Sequence, residues 1–159
     1  MKWFPLLLTL CLSAPALAAS ESNADGSDAR APWTLLDQHD TPYTLDDTTQ
    51  VLLVARSMAS AKMVNAALGD EPAGYLEARK VIYVADVERM PSVAKMVMVP
   101  AMRSASYRIV LDQTGAVAGR YGGDRDTVQW VQLEGGQMVQ QRRFSDVEQL
   151  RTALAQLPH

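Results

Sequence analysis

The sequence has a single cysteine, Cys11, which stands inside the first apolar run and leaves the rest of the chain without a thiol. Disulfide staples are therefore excluded from the body of the protein, as is any reaction begun by a protein thiolate. Histidine is nearly as scarce: His39 and the C-terminal His159 are the two present. A serine hydrolase would need His39 as base for Ser57 or Ser60, and nothing in the spacing places it there. No glycine-rich phosphate cradle follows a strand, no flavin or nicotinamide fingerprint occurs, and the acidic residues Asp37, Asp40, Asp46 and Asp47 lack the ligand spacing of a calcium loop. Positive charge is not in surplus either. The formal net charge is -3, and without Lys2 the 15 Lys and Arg become 14 against 18 Asp and Glu, giving -4. That balance argues against nucleic acid or an anionic membrane as the main partner. The leading apolar run, Trp3 to Leu12, falls short of the about 20 residues a membrane-spanning helix needs, and no later stretch reaches that length, so no stable membrane insertion is expected.

What the N-terminus does have is Lys2, that apolar run, and a small-residue exit, Ala14-Pro15-Ala16-Leu17-Ala18-Ala19. The pattern predicts a signal peptide over residues 1–18 and a protein delivered to the periplasm or secreted. Leu10 precedes Cys11 where a lipidation site wants a small residue, which argues against a lipid anchor. Residues 19–30 are small, polar or acidic apart from Arg30 and predict a flexible spacer. Residues 31–159 are then one domain that must hold together by core packing.

Within that domain, the stretch from Trp33 to Gln50 alternates weakly and is broken from Asp37 to Pro42, predicting a short hairpin. Val51–Ala55 is an apolar run suited to a strand buried on both faces. A helix follows, capped by Ser57, with Met58, Met63, Val64, Ala67 and Leu68 as its apolar face and Gly69 at its end. A weaker helical piece spans residues 71–79, and a second interior strand lies at Lys80 to Asp86. The middle segment "RMPSVAKMVMVPAMR" predicts a helix with Pro91 near its start and limited by Pro100. A strand from Tyr107 to Leu111 comes next, "YGGDRD" reads as a turn, and a hairpin closes around Gly135-Gly136. A last helix is predicted from Asp146 to Leu157, with a Ser145/Glu148 capping box and a stripe of Val147, Leu150, Leu154 and Leu157. Strands alternating with helices imply an α/β domain with a parallel core.

This order, with Ala31, Pro32, Trp33, Leu35, Asp37, Leu45 and Val51 to Val54 at the opening, resembles the thioredoxin superfamily, in its secreted thioredoxin-like and peroxiredoxin-like branch. The resemblance implies a central mixed β-sheet flanked by helices and ending in a hairpin arm plus a helix. Asp40 stands where that family usually has Gly, so the first turn is expected to differ. Matching Lys62 to the lysine that commonly follows the second family cysteine puts Met58 and Ala61 at the two cysteine positions. The family's proline, usually cis, falls on Ser106 or Tyr107, where a trans bond is expected because a non-proline cis bond costs about 2.5–4 kcal/mol. Both redox hallmarks are thus missing.

The start of that first helix still exposes unpaired N–H groups and a positive dipole end, which receive a carboxylate, phosphate or carbonyl as readily as they stabilise a thiolate. Arg56, Ser57, Met58, Ser60, Ala61 and Lys62, with Ser106, Tyr107 and Arg108 from the neighbouring strand, are therefore the candidate binding residues. The plainer alternative has Ser57 and Ser60 merely capping the helix while Arg56 and Lys62 stay solvated. Met90, Met96, Met98 and Met102 form a candidate contact surface, since methionine adapts to varied apolar partners. The favoured function is a catalytically silent periplasmic binding or accessory module for a peptide, protein or small anion, with no cofactor and no metal expected. The alternative is a redox-related enzyme assisted by a cofactor or metal, or a copper-handling protein using soft thioethers.

Overall fold

A computed structural model describes residues 32–159 of the chain. The predicted signal peptide, the predicted spacer and Ala31 lie outside the described residues. The opening hairpin pairs Thr34–Asp37 (β1) with Pro42–Thr44 (β2), antiparallel. Asp40 takes a left-handed φ of 60° in its turn. Aspartate is among the few non-glycine residues that visit this region readily, so the turn keeps a glycine-like backbone.

Val51–Ala55 (β3) is buried along its whole length and pairs in parallel with Val81–Asp86 (β4), which pairs in parallel with Ile109–Asp112 (β5). Val128–Glu134 (β6) runs antiparallel to β3, and Gln137–Phe144 (β7) returns along β6. The seven strands lie in the order β2-β1-β5-β4-β3-β6-β7, a mixed sheet as expected. Gly135 and Gly136 turn the last hairpin at φ 56° and 77°, the positive angles that a two-residue turn of this kind requires.

The period-2 alternation of β3 sends Val51, Leu53 and Ala55 to one face and Leu52 and Val54 to the other. On the first face they meet the helices Met58–Leu68 (α1), Tyr75–Ala78 (α2) and Val147–Ala155 (α5) through Val64, Leu68, Leu76, Leu150 and Leu154. The second face packs on Trp33, Leu45 and the one-turn helix Ala118–Tyr121 (α4), with the Trp33 indole donating to the Tyr121 hydroxyl at 3.1 Å. The remaining helix, Ser92–Met102 (α3), has no buried residue.

Several boundaries moved for local reasons. The cap of α5 is Asp146, whose carboxylate accepts from the Gln149 N–H at 2.9 Å, rather than Ser145 in a box with Glu148. α4 has no counterpart in the sequence reading; the buried Asp112 carboxylate accepts from the N–H groups of Gly115, Val117 and Ala118 and so organises its start. Pro100 lies inside the last turn of α3 instead of stopping it. β5 begins at Ile109 rather than Tyr107, because the side-chain amide of Gln38 occupies the Tyr107 carbonyl and the Ile109 N–H, both at 2.8 Å.

Candidate functional site

The turn from β3 into α1 is built by two serines. Ser57 caps α1 and its Oγ accepts from the Ser60 N–H at 3.2 Å, while Ser60 Oγ accepts from the N–H groups of Arg56 and Ser57 at 3.1 and 3.0 Å. Ser60 is fully buried. Its place in the candidate set is therefore corrected: it shapes the turn from inside and offers no surface to a ligand. Among the described residues the N–H groups of Met58 and Ala59 have no acceptor, leaving the dipole end of α1 open.

Beside that end lies a cleft of about 680 Å³, bounded by α1, the C-terminal half of β4, α3 and the approach to β5. Clefts at the carboxyl ends of parallel strands are the usual ligand sites of α/β sheets, and this volume lies in the range of small-molecule sites. Of the sequence-derived candidates, Arg56, Ser57, Met58, Ala61, Lys62 and Tyr107 line it. So do Met90, Met98 and Met102. Met58 is 47 % exposed at the mouth.

Three candidates fall elsewhere. Ser106 donates to the Glu71 carbonyl at 3.3 Å. Arg108 turns to the opening hairpin, where the buried carboxylate of Asp37 pairs with it, Nε 3.4 Å from Oδ2, and its guanidinium lies 5.8 Å from the Tyr43 ring. Met96 lies on the outward face of α3 with 76 % of its surface exposed, beside the equally bare Val93 and Val97.

The structure adds residues that the sequence reading passed over. Asp86 ends β4 at the cleft; its buried carboxylate lies 3.1 Å from Arg56 Nε and 3.6 Å from Arg125 Nη2, and it accepts from the Glu88 N–H at 3.0 Å. Arg56 is thereby held as the partner of Asp86 rather than solvated. Arg89 and Asn65 also line the cleft, as does Tyr83 on its strand floor. Tyr83 and Tyr107 meet with tilted rings at 6.2 Å, and the Tyr107 hydroxyl donates to Asn65 Oδ1. Burial pushes the phenol pKa of Tyr83 far up and raises that of Tyr107, so both remain neutral donors at physiological pH. The signal that points to Asp86 is positional, the last residue of a parallel strand ahead of a loop. No comparable signal marks Tyr83, whose alternation with Val84 reads as ordinary core.

Among the described residues no group of three or more His, Cys, Asp or Glu is placed to hold a metal ion, and no helix is long and apolar enough to cross a membrane. No peptide bond among them is cis.

No family model and no curated protein matches the chain. Its architecture does match solved structures. A secreted Mycobacterium tuberculosis disulfide oxidoreductase homologous to E. coli DsbE superposes with a TM-score of 0.52 at 14 % identity, covering 82 % of this chain and 98 % of that one. The peroxidoxin BcpB of Mycobacterium tuberculosis gives 0.50 at 18 %, covering 79 % and 90 %. A hypothetical protein of Sinorhizobium meliloti 1021 gives 0.54 at 18 %, covering 80 % and 81 %. The fold is thioredoxin-like, and at these identities the likeness extends to the fold alone.

Proposed function

We propose that this chain is a thiol-independent binding module, exported to the periplasm or beyond, which uses the cleft beside α1 to hold an apolar ligand and works without a resident cofactor. The carrying observation is that Met58 and Ala61, the residues matched to the redox cysteines, line a cleft of about 680 Å³ together with Met90, Met98 and Met102. Neither side chain supplies the thiolate that disulfide exchange or cysteine-based peroxide reduction requires, whereas a wall of methionines can repack around apolar guests. The N-terminal pattern of Lys2, the apolar run and the Ala-rich exit supports export.

The methionines also provide the test. Methyl-labelled protein screened by NMR against apolar fragments and short peptides should give hits that move Met58, Met90, Met98 and Met102, while Met96 and Met138, which do not line the cleft, stay in place. A screen in which nothing moves the cleft methionines would sink the reading.

A second reading draws on the same gathering: thioethers of four methionines around one cleft are soft donors for Cu(I). It requires Cu(I) to bind in competition with a chelator and to shift the same methyls. Binding that survives replacement of Met90, Met98 and Met102 by leucine would remove it.

A further inference from the structure

The occupant of the cleft can be narrowed by what its walls leave unpaired. The floor and sides are carbon-rich, from Ala55, Ala85 and Ile109 to Ala94, Met98 and Ala101. An extended peptide would bring one N–H and one carbonyl per residue into that environment, and each needs a partner. The strands on the floor cannot supply a ladder, since β4 is paired on both sides and so is β5. A ligand with an uninterrupted apolar body avoids this cost.

The polar groups then specify the other end of the molecule. Lys62, from the second turn of α1, and Arg89, from the loop before α3, both line the cleft and have no ion-pair or hydrogen-bond partner among the described residues. Asp86 is the one acidic lining residue among the described residues, and it lies between two arginines, so the wall is net positive within a chain of net charge -3. Tyr83 is a third and independent pointer. It is 2 % exposed and lines the cleft, and its hydroxyl has no hydrogen-bond partner among the described residues. A tyrosine hydroxyl that reaches a cleft without a protein partner offers its proton to an acceptor on the guest.

We infer that the cleft binds a lipophilic carboxylate: an aliphatic tail against the methionine and alanine walls, and an anionic head that draws on Lys62, Arg89 and the Tyr83 hydroxyl. α3 suits such a guest, because it has no buried residue and rests on the core through the partly buried Val99 and Met102, a light packing that can yield to tails of different length. This rests on the binding-module reading and adds the ligand's charge and tail to it.

The test compares laurate, below its micellar concentration, with dodecanol, its neutral counterpart of equal chain length, by methionine-methyl NMR on the protein. Laurate should move Met58, Met90, Met98 and Met102, leave Met96 and Met138 in place, and bind at least about tenfold more tightly than dodecanol. The double variant Lys62→Gln/Arg89→Gln, at two exposed positions, should lose that margin for laurate and leave dodecanol unchanged. Tyr83→Phe should weaken laurate by a smaller factor. Equal affinity for laurate and dodecanol, or laurate binding indifferent to the double variant, overturns the carboxylate and leaves the module reading standing. Peptide hits on the cleft methionines with no response to either lipid do the same. Silence to every probe overturns both.

Discussion

Gln38 stands in for a strand partner of Ile109: its Oε1 accepts from the Ile109 N–H at 2.8 Å while its own N–H donates to the Ile109 carbonyl at 3.0 Å. The same side chain donates from Nε2 to the Tyr107 carbonyl at 2.8 Å, so one buried glutamine clamps the segment that delivers Tyr107 to the cleft. Gln38→Leu keeps the volume roughly but strands a buried donor and an acceptor. Each such group costs about 1–3 kcal/mol. Urea unfolding should register a loss of that order, and the Tyr107 ring should lose its fixed position in NMR spectra. An unchanged midpoint would mean that water replaces the amide at no cost and that the clamp is dispensable.

The C-terminal helix offers a second stability test. Leu150 and Leu154 are fully buried against α1 and the sheet, one turn apart on a single stripe. Leu154→Ala should cost about 2–5 kcal/mol through lost burial and the cavity left behind. Calorimetry or denaturant titration reads it directly, and a melting temperature equal to that of the parent would show that α5 docks more loosely than its burial implies.

Alkaline pH provides a third. All five tyrosines, Tyr43, Tyr75, Tyr83, Tyr107 and Tyr121, have pKa values raised above 10.0, with burial the leading cause in each. A phenol whose folded pKa exceeds its unfolded value contributes stability that is complete below the unfolded pKa and is lost as pH rises through the folded one. Stability should therefore be insensitive to these groups through neutrality and fall from about pH 10 upward. Tyr83, which is fully buried, should ionise only as the chain unfolds, so the last part of the phenolate absorbance should rise together with the loss of circular dichroism. Tyr83→Phe should shift that coupled step to higher pH. A smooth phenolate titration that finishes before any unfolding would contradict the burial of Tyr83.

How far the sequence carries a reader depends on whether the deciding interaction is local. β3 and α5 are legible because their periodicity is written in consecutive residues: five apolar positions in Val51–Ala55, and the spacing of Leu150 and Leu154. Ser57 is legible as a cap for the same reason. The start of β5 is not, because it is set by Gln38, 71 residues before Ile109. Arg108 reads as a residue able to approach the cleft from the neighbouring strand, yet it precedes β5 and pairs with Asp37 in the opening hairpin, 71 residues earlier in the chain, a partner that no local pattern announces. The cleft brings together Met58, Tyr83, Arg89 and Met98 from four separate segments, and no spacing along the chain encodes that meeting. α3 is legible as a helix, but the four methionines read as one contact surface divide: Met90, Met98 and Met102 line the cleft while Met96 lies bare beside Val93 and Val97.

The match of Met58 and Ala61 to a lost cysteine pair can be tested by restoring it. Both residues line the cleft, Met58 in the first position of α1 and Ala61 three residues on, where neighbouring side chains share a helix face. Residues so spaced fall within the Cα separation of about 4.4–6.8 Å that a disulfide tolerates. Met58→Cys with Ala61→Cys should therefore close a disulfide under mild oxidant in the folded protein, detected by mass after alkylation. The cysteine at position 58 sits by the open N–H groups of α1 and near the unpartnered Lys62, so its thiol pKa should drop below the free value of about 8.5, measured by the pH dependence of alkylation. Turnover as a reductase should stay poor, because the adjoining segment carries Ser106 and Tyr107 in place of a proline, and the Tyr107 hydroxyl is tied to Asn65 across the cleft. Asn65→Ala should free that ring and raise turnover of the double-cysteine protein without altering the disulfide yield. A pair that remains reduced while the protein is folded would show that these positions do not share the geometry of a redox pair, and the match made from Lys62 would fall with it.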